Sequence, residues 1–131
     1  MKRLALLLAL CAAPAWAQDA CPHASEVGAS RLLGLWRAEL AGTGHAGTLL
    51  LEKHPLYAES FAGAINRNGA TSRLAGDMED GEFTMEESAD GTHIAAAWIG
   101  EVVEGSCGRE IRGTFTIDGE QAGRAFVLRK Q

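Results

Sequence analysis

The side chains of this 131-residue sequence that are best suited to chemistry lie in two short strings. The first, His54-Pro55-Leu56-Tyr57, interrupts a strand-like pattern, because proline cannot donate a hydrogen bond to a strand ladder. An imidazole and a phenol on such a loop could contact a metal, a haem or an acidic ligand. A proline turn with an exposed histidine is the simpler interpretation, since most loop residues carry no function. We keep His54 and Tyr57 as ligand-binding candidates.

The second string is Ser106-Cys107-Gly108-Arg109-Glu110. Arg109 could bind an anionic ligand through its planar guanidinium group. Alternatively, Arg109 and Glu110 form a surface ion pair, which contributes under about 1 kcal/mol. We keep Arg109 as a third ligand-binding candidate.

Residue spacing does not favour metal binding or catalysis. The acidic string 77–82, followed by Glu86, Glu87 and Asp90, lacks the order of a calcium loop and reads as solvated hairpin charge. The histidines show no paired spacing, and a copper site with Met78, Met85 and His93 is opposed by the core-like pattern at Met85. The Gly-x-Ser-x-Gly nucleophile motif is absent. We predict no metal, no cofactor and no enzyme activity.

The first 17 residues have the pattern of a signal peptide. Lys2 and Arg3 precede an apolar run, and Ala15-Trp16-Ala17 matches a signal-peptidase site. The run is shorter than the roughly 20 residues that span a bilayer. Lipidation at Cys11 is a weaker alternative, because the residue before it, Leu10, is bulky. We therefore predict a periplasmic or secreted protein.

The charge of the mature chain limits its partners. Removing residues 1–17 takes away Lys2 and Arg3, which leaves 10 basic and 17 acidic residues and a net charge of −7. Nucleic acids and anionic membranes attract basic surfaces, so we predict neither as a partner. A small-molecule ligand or an envelope or secreted protein remains.

Two cysteines are left in the mature chain, Cys21 and Cys107. In an oxidising compartment a disulfide between them is the expected state. A two-thiol metal or redox site is the alternative, but the Cys-x-x-Cys spacing is missing. The bridge would tie an N-terminal tail, residues 18–30, to a domain formed by residues 31–131.

That domain is predicted to be all-β. Strand-like runs alternate with turn signals such as Asn68-Gly69 and Asp118-Gly119, and no stretch shows sustained helical periodicity. Sequential hairpins of this kind favour an eight-stranded antiparallel up-and-down β-barrel, with a β-sandwich as the alternative. The eight predicted strands are 31–40, 48–53, 60–65, 70–78, 82–86, 92–103, 107–117 and 123–130.

Both ends of the domain resemble the lipocalin and avidin-like (calycin) barrels. Gly34-Leu35-Trp36 lies on the first strand, and Phe126-Val127-Leu128-Arg129 on the last. In that superfamily a Gly-x-Trp motif packs near a basic residue of the last strand, which implies structural roles for Gly34, Trp36 and Arg129. Trp98 is similar in position to an avidin tryptophan, but the polar biotin-binding residues are not recognisable after Trp36. Small exported barrels that inhibit proteases or lysozymes are a second resemblance.

These patterns support two functions. The first is an exported barrel that binds a small apolar or amphipathic ligand, with Trp98 as a fourth ligand-binding candidate. The small residues Gly63, Ala96 and Gly113 fit either tight strand packing or a cavity, and they slightly favour space inside such a barrel. The alternative is a protein-interaction module, such as a protease or lysozyme inhibitor or an envelope accessory factor, which acts through its loops. The first would require a cavity lined by some of Trp36, Phe61, Phe83, Trp98 and Phe115.

Overall fold

The protein is an eight-stranded antiparallel β-barrel, as the sequence predicts. Its structure is a computed structural model that describes residues 11–12 and 20–131. Each strand pairs with the next, and the last pairs with the first, so the ring is closed and the sandwich alternative is wrong. The strands are β1 (Gly34–Leu40), β2 (Gly44–Lys53), β3 (Ser60–Arg67), β4 (Ala70–Glu79), β5 (Glu82–Ser88), β6 (Ala96–Val102), β7 (Glu110–Ile117) and β8 (Arg124–Lys130).

Most strand boundaries lie within three residues of the predicted ones, and two strand starts differ by four residues. β6 begins at Ala96 rather than at position 92, because Asp90 Oδ1 accepts the backbone N–H groups of Thr92 and His93 at 2.8 Å each. Such a carboxylate-capped turn competes with the strand ladder. β2 begins at Gly44, four residues early, and the β1–β2 register shifts by one residue between Ala38 and Glu39 to accommodate it.

The predicted tail covers one end of the barrel. Residues 20–33, the N-terminal segment, contain two 3-10 turns, Ala24–Glu26 and Ala29–Arg31. Val27 and Leu32 are buried in the core, and the predicted Cys21–Cys107 disulfide is present with a Cα–Cα distance of 4.8 Å. This is the covered end; the opposite end, with the β5–β6 and β7–β8 loops, is the far end. The predicted signal peptide lies outside the described residues except for positions 11 and 12.

Aromatic residues fill the barrel. The ring centroids of Trp98 and Phe115 lie 4.5 Å apart, those of Trp98 and Phe126 5.1 Å, and those of Phe61 and Phe83 5.4 Å. Within residues 20–131, these side chains and Trp36 are almost completely excluded from solvent. The rings suggested above as a cavity lining therefore form a packed core.

The small interior residues accommodate close strand packing. A Cβ atom on Gly63 would lie 2.0 Å from the carbonyl oxygen of Leu50, and one on Gly113 2.0 Å from that of Ile99. No side chain fits at such a distance, so glycine lets adjacent strands approach closely. The space predicted from Gly63 and Gly113 is occupied by the neighbouring backbone.

Candidate functional site

The loop between β2 and β3, residues 54–59, holds its shape through His54. The Nδ1 atom of His54 accepts the backbone N–H groups of Leu56 and Tyr57, both at 3.1 Å, and its ring stacks on Tyr57 with centroids 5.1 Å apart. The loop exposes 77% of Leu56 and 63% of Tyr57. His54 thus fixes the backbone that presents two large apolar side chains to solvent.

A groove lies between this loop and the outer face of the sheet. Ser60, Asp77 and Thr84 are register partners on β3, β4 and β5, so they form a row across three strands. The Ser60 hydroxyl donates a hydrogen bond to Asp77 Oδ1. With Glu86, His54 and Tyr57, this row lines a volume of about 270 Å³. That is slightly less than the roughly 300–1,000 Å³ of pockets that enclose drug-sized ligands.

The groove continues around the loop towards the N-terminal segment. A second part shares Tyr57, Ser60 and Asp77 with the first, and a third part shares Glu59 and Glu79 with the second. We call the three parts together the acidic groove. The charged side chains that line it are all acidic: Glu26, Glu59, Asp77, Glu79, Asp80 and Glu86.

The carboxylates of the acidic groove lack ion-pair partners in the described part of the chain. None of the six forms an ion pair within residues 20–131. Glu79 lies directly opposite Glu82 in the β4–β5 ladder, an arrangement in which like charges destabilise a sheet. Elsewhere the protein pairs such groups: Arg129, for example, bonds both Glu39 and Glu110.

The histidine and serine of the groove do not form a nucleophilic pair. Because His54 Nδ1 accepts two backbone hydrogen bonds, the proton of the neutral ring is on Nε2, which is then a donor and not a base. The Ser60 hydroxyl already donates to Asp77. An activated nucleophile needs a base that accepts its proton. The arrangement is suited to binding through hydrogen bonds and charge.

Trp98 lies inside the barrel, away from the acidic groove. Its Nε1 donates a 3.2 Å hydrogen bond to Glu87 Oε2, and both oxygens of Glu87 accept hydrogen bonds from the guanidinium group of Arg67. The Arg67 guanidinium also lies 6.0 Å from the centroid of the Phe115 ring. Arg67 and Trp98 thus provide the hydrogen-bond donors for the buried carboxylate of Glu87 at the far end of the barrel.

Arg109 lies at the covered end, in a shallow depression with Glu104, Ser106 and Lys130. Its guanidinium donates a 3.4 Å hydrogen bond to the carbonyl oxygen of Lys130. Of the four ligand-binding candidates, the structure therefore brings only His54 and Tyr57 together.

Gly34 and Trp36 share β1, but Trp36 and Arg129 lie on opposite faces of the sheet. Trp36 is buried at the covered end, where its Nε1 donates a 2.7 Å hydrogen bond to the Leu32 carbonyl. Arg129 lies on the outer face, and its hydrogen bond to Glu39 raises its pKa. The basic residue beside Gly34 is Lys130, whose Nζ donates to the Arg31 carbonyl at 2.8 Å. Partial burial lowers the pKa of Lys130.

Sequence reasoning missed Ser60, Asp77 and Glu86 as members of a groove. Asp77 and Glu86 were grouped with solvated hairpin charge, and the sequence carries no local signal that the 54–59 loop folds over them. In the part of the chain that the structure describes, no three His, Cys, Asp or Glu side chains are arranged to hold a metal ion. No helix among these residues is long and apolar enough to cross a membrane.

Compared with known proteins, the sequence matches no established protein family, and no curated protein is significantly similar to it.

Proposed function

We propose that the protein is an exported protein-interaction module that contacts its partner through the 54–59 loop and the acidic groove. The observation that carries the proposal is the exposure of Leu56 and Tyr57 on a loop held in place by His54. Exposed aromatic residues with few rotatable bonds are typical anchors of protein interfaces. The partner is an envelope or secreted protein.

The packing of the interior supports this proposal over a ligand inside the barrel. A ligand there would have to displace Trp98, Phe115 and Phe61, which contact other aromatic rings and are buried. The described residues form five grooves that open to the outside, and none of the five is lined by these three side chains. Function is accordingly assigned to the surface.

Export is part of the proposal. It is supported by the Cys21–Cys107 disulfide, since such bonds persist mainly in oxidising compartments, and by the signal-like residues 1–17. Intact-mass measurement of the protein purified from its own host tests it. We expect a chain that begins at Gln18 and lacks two hydrogens. A full-length, reduced chain would contradict export.

Site-specific photo-crosslinking tests the interaction. A photoreactive phenylalanine derivative at position 57 should yield a discrete adduct with one protein in the native compartment. The matched control is position 35, because Leu35 is also an exposed apolar residue (52%) but lies on the outer face of β1. We expect no adduct from position 35.

Two outcomes would contradict the proposed function. Equal adducts from positions 57 and 35 would indicate non-specific contact. A missing adduct together with a stoichiometric small molecule in the native mass spectrum would favour the ligand-binding alternative. Kinship with the calycin barrels remains a prediction.

A further inference from the structure

We infer that the acidic groove receives a basic segment of the partner, with one lysine or arginine side chain between Tyr57 and the Asp77–Glu86 carboxylates. This inference rests on the proposed function, because it assumes a protein partner, and it adds the chemistry of the surface that is recognised.

Charge is the first argument. Six carboxylates line the groove and none has an ion-pair partner within residues 20–131. Arg73, on the outer face of β4, does not neutralise them, because its guanidinium lies against Gly91 at the far end. A cationic partner would relieve the repulsion between Glu79 and Glu82 and would also be steered towards the negatively charged protein.

Apolar exposure is a second, independent argument. Lysine and arginine bury their aliphatic stems on apolar surface while the charged heads stay at polar groups. Leu56 and Tyr57 provide such a surface at the rim, and the Tyr57 ring can also attract a cation to its face. A charged ligand without an apolar stem would contact the carboxylates but not the apolar surface of Leu56 and Tyr57.

Volume is the third argument. The part between Tyr57 and Glu86 is about 270 Å³, enough for a single long side chain, and it is continuous with two further parts along the loop. A chain segment that follows the groove could place successive basic residues at Asp77 and Glu86, then at Glu59 and Glu79, and then at Glu26.

Titration of the ¹⁵N-labelled mature protein with hexa-lysine and hexa-arginine peptides tests the inference, with hexa-glutamate as the negative probe. We expect chemical-shift changes at residues 54–60, 75–79 and 84–86. The Asp77→Asn/Glu86→Gln double variant should bind about tenfold more weakly, because it removes two exposed charge pairs. Tyr57→Ser should weaken binding about two- to fivefold.

The matched control is Asp118→Asn/Glu120→Gln, which removes the same two charges from exposed positions on the β7–β8 loop at the far end. We expect its affinity to change less than twofold. Equal weakening by both double variants would show general charge attraction and overturn the inference. Spermidine binding as tightly as hexa-lysine would also overturn it, because a polyamine site would then suffice.

Crosslinking separates this inference from the function on which it rests. The adduct from position 57 should decrease in the Asp77→Asn/Glu86→Gln background. If the adduct forms with unchanged yield, the interaction module stands and the basic segment is wrong. If it never forms in the parent protein, the proposed function itself fails. The melting temperature of each variant shows that it is folded.

Discussion

At the scale of single residues, Glu87 places a charged carboxylate inside the barrel, where it needs hydrogen-bond partners. It is the only buried charged residue among residues 20–131, and its carboxylate accepts hydrogen bonds from Arg67 and Trp98. Breaking a buried ion pair is costly because the remaining charge stays uncompensated. The side chain of Arg67 is 31% exposed, so water can partly replace a lost partner.

Glu87→Ala should therefore destabilise the fold by about 3 kcal/mol, the lower part of the range for buried pairs. The matched control is Glu86→Ala, the adjacent residue on the outer face, which should change the unfolding free energy by less than about 0.5 kcal/mol. Urea unfolding followed by tryptophan fluorescence measures both. Similar midpoints for the two variants would show that the Glu87 cluster contributes no more than surface charge.

The position of Glu87 could have been predicted from the sequence. Phe83 and Met85 alternate with polar residues in the sequence, and the same period of two places Glu87 on their face of the strand. The inward position of Glu87 was missed because Glu87 was interpreted, together with Glu86, as solvated hairpin charge. Its partner Arg67 could not be identified in this way, because the contact joins residues 20 positions apart through the register of three strands.

At the scale of strands, the prediction depended on turn chemistry. Asn68-Gly69 and Asp80-Gly81 mark the β3–β4 and β4–β5 hairpins, and Asn68 and Asp80 adopt positive φ values of 51° and 50°. The acidic groove could not be predicted from the sequence, because it forms only when the 54–59 loop folds over strands that become neighbours in the barrel. Local patterns establish the strands, whereas sites between elements depend on their packing.

Gly113→Ala tests whether strand packing requires the interior glycines. An added Cβ would overlap the Ile99 carbonyl oxygen at 2.0 Å, which requires the strands to separate. Overpacking typically costs about 1–3 kcal/mol, and we expect this clash with rigid backbone at the upper end of that range. Gly28→Ala is the control, because its Cβ would meet nothing within 4 Å. If the melting temperature changed equally in Gly113→Ala and Gly28→Ala, or in neither, strand packing would not require a glycine at position 113.

The attachment of the N-terminal segment should depend on pH. His23 Nδ1 lies 2.9 Å from Glu104 Oε1, and the hydrogen bond to Glu104 raises the pKa of His23 above its ordinary value of 6.5. The backbone N–H of Ala24 donates to Glu104 at 2.8 Å and, with His23, lowers the pKa of Glu104 below 4.5. The coulombic effect of Glu26 adds to the shift of His23.

The two shifts define a window. The stabilisation from charged His23 is complete below pH 6.5 and is lost as the pH rises through its raised folded pKa. The stabilisation from ionised Glu104 is complete above pH 4.5 and is lost as the pH falls through its lowered folded pKa. We expect the strongest attachment between these values, measured as hydrogen-exchange protection of the Ala24 amide. In Glu104→Gln, the NMR-measured pKa of His23 should fall towards 6.5; an unchanged value would contradict the pairing.

At the scale of the whole molecule, the barrel and the disulfide constrain the chain in different ways. The closed ring joins β1 to β8, so each of the eight described strands is paired along both edges. The disulfide joins the N-terminal segment to the β6–β7 loop, across a sequence separation of 86 residues. The disulfide therefore holds the N-terminal segment over Trp36 at the covered end. The hydrogen bonds of the sheet do not hold this segment.

Cys21→Ser should lower the unfolding free energy by up to about 4–5 kcal/mol, the chain-entropy limit for a loop of this length. Cys107→Ser should have the same effect, because either change removes the same bond. Reduced wild-type protein should melt at the temperature of the variants. If Cys21→Ser matched the oxidised wild type, the N-terminal segment would hold the covered end without its bridge. A larger loss in Cys107→Ser than in Cys21→Ser would instead show that the Cys107 side chain stabilises the β6–β7 loop through contacts other than the disulfide.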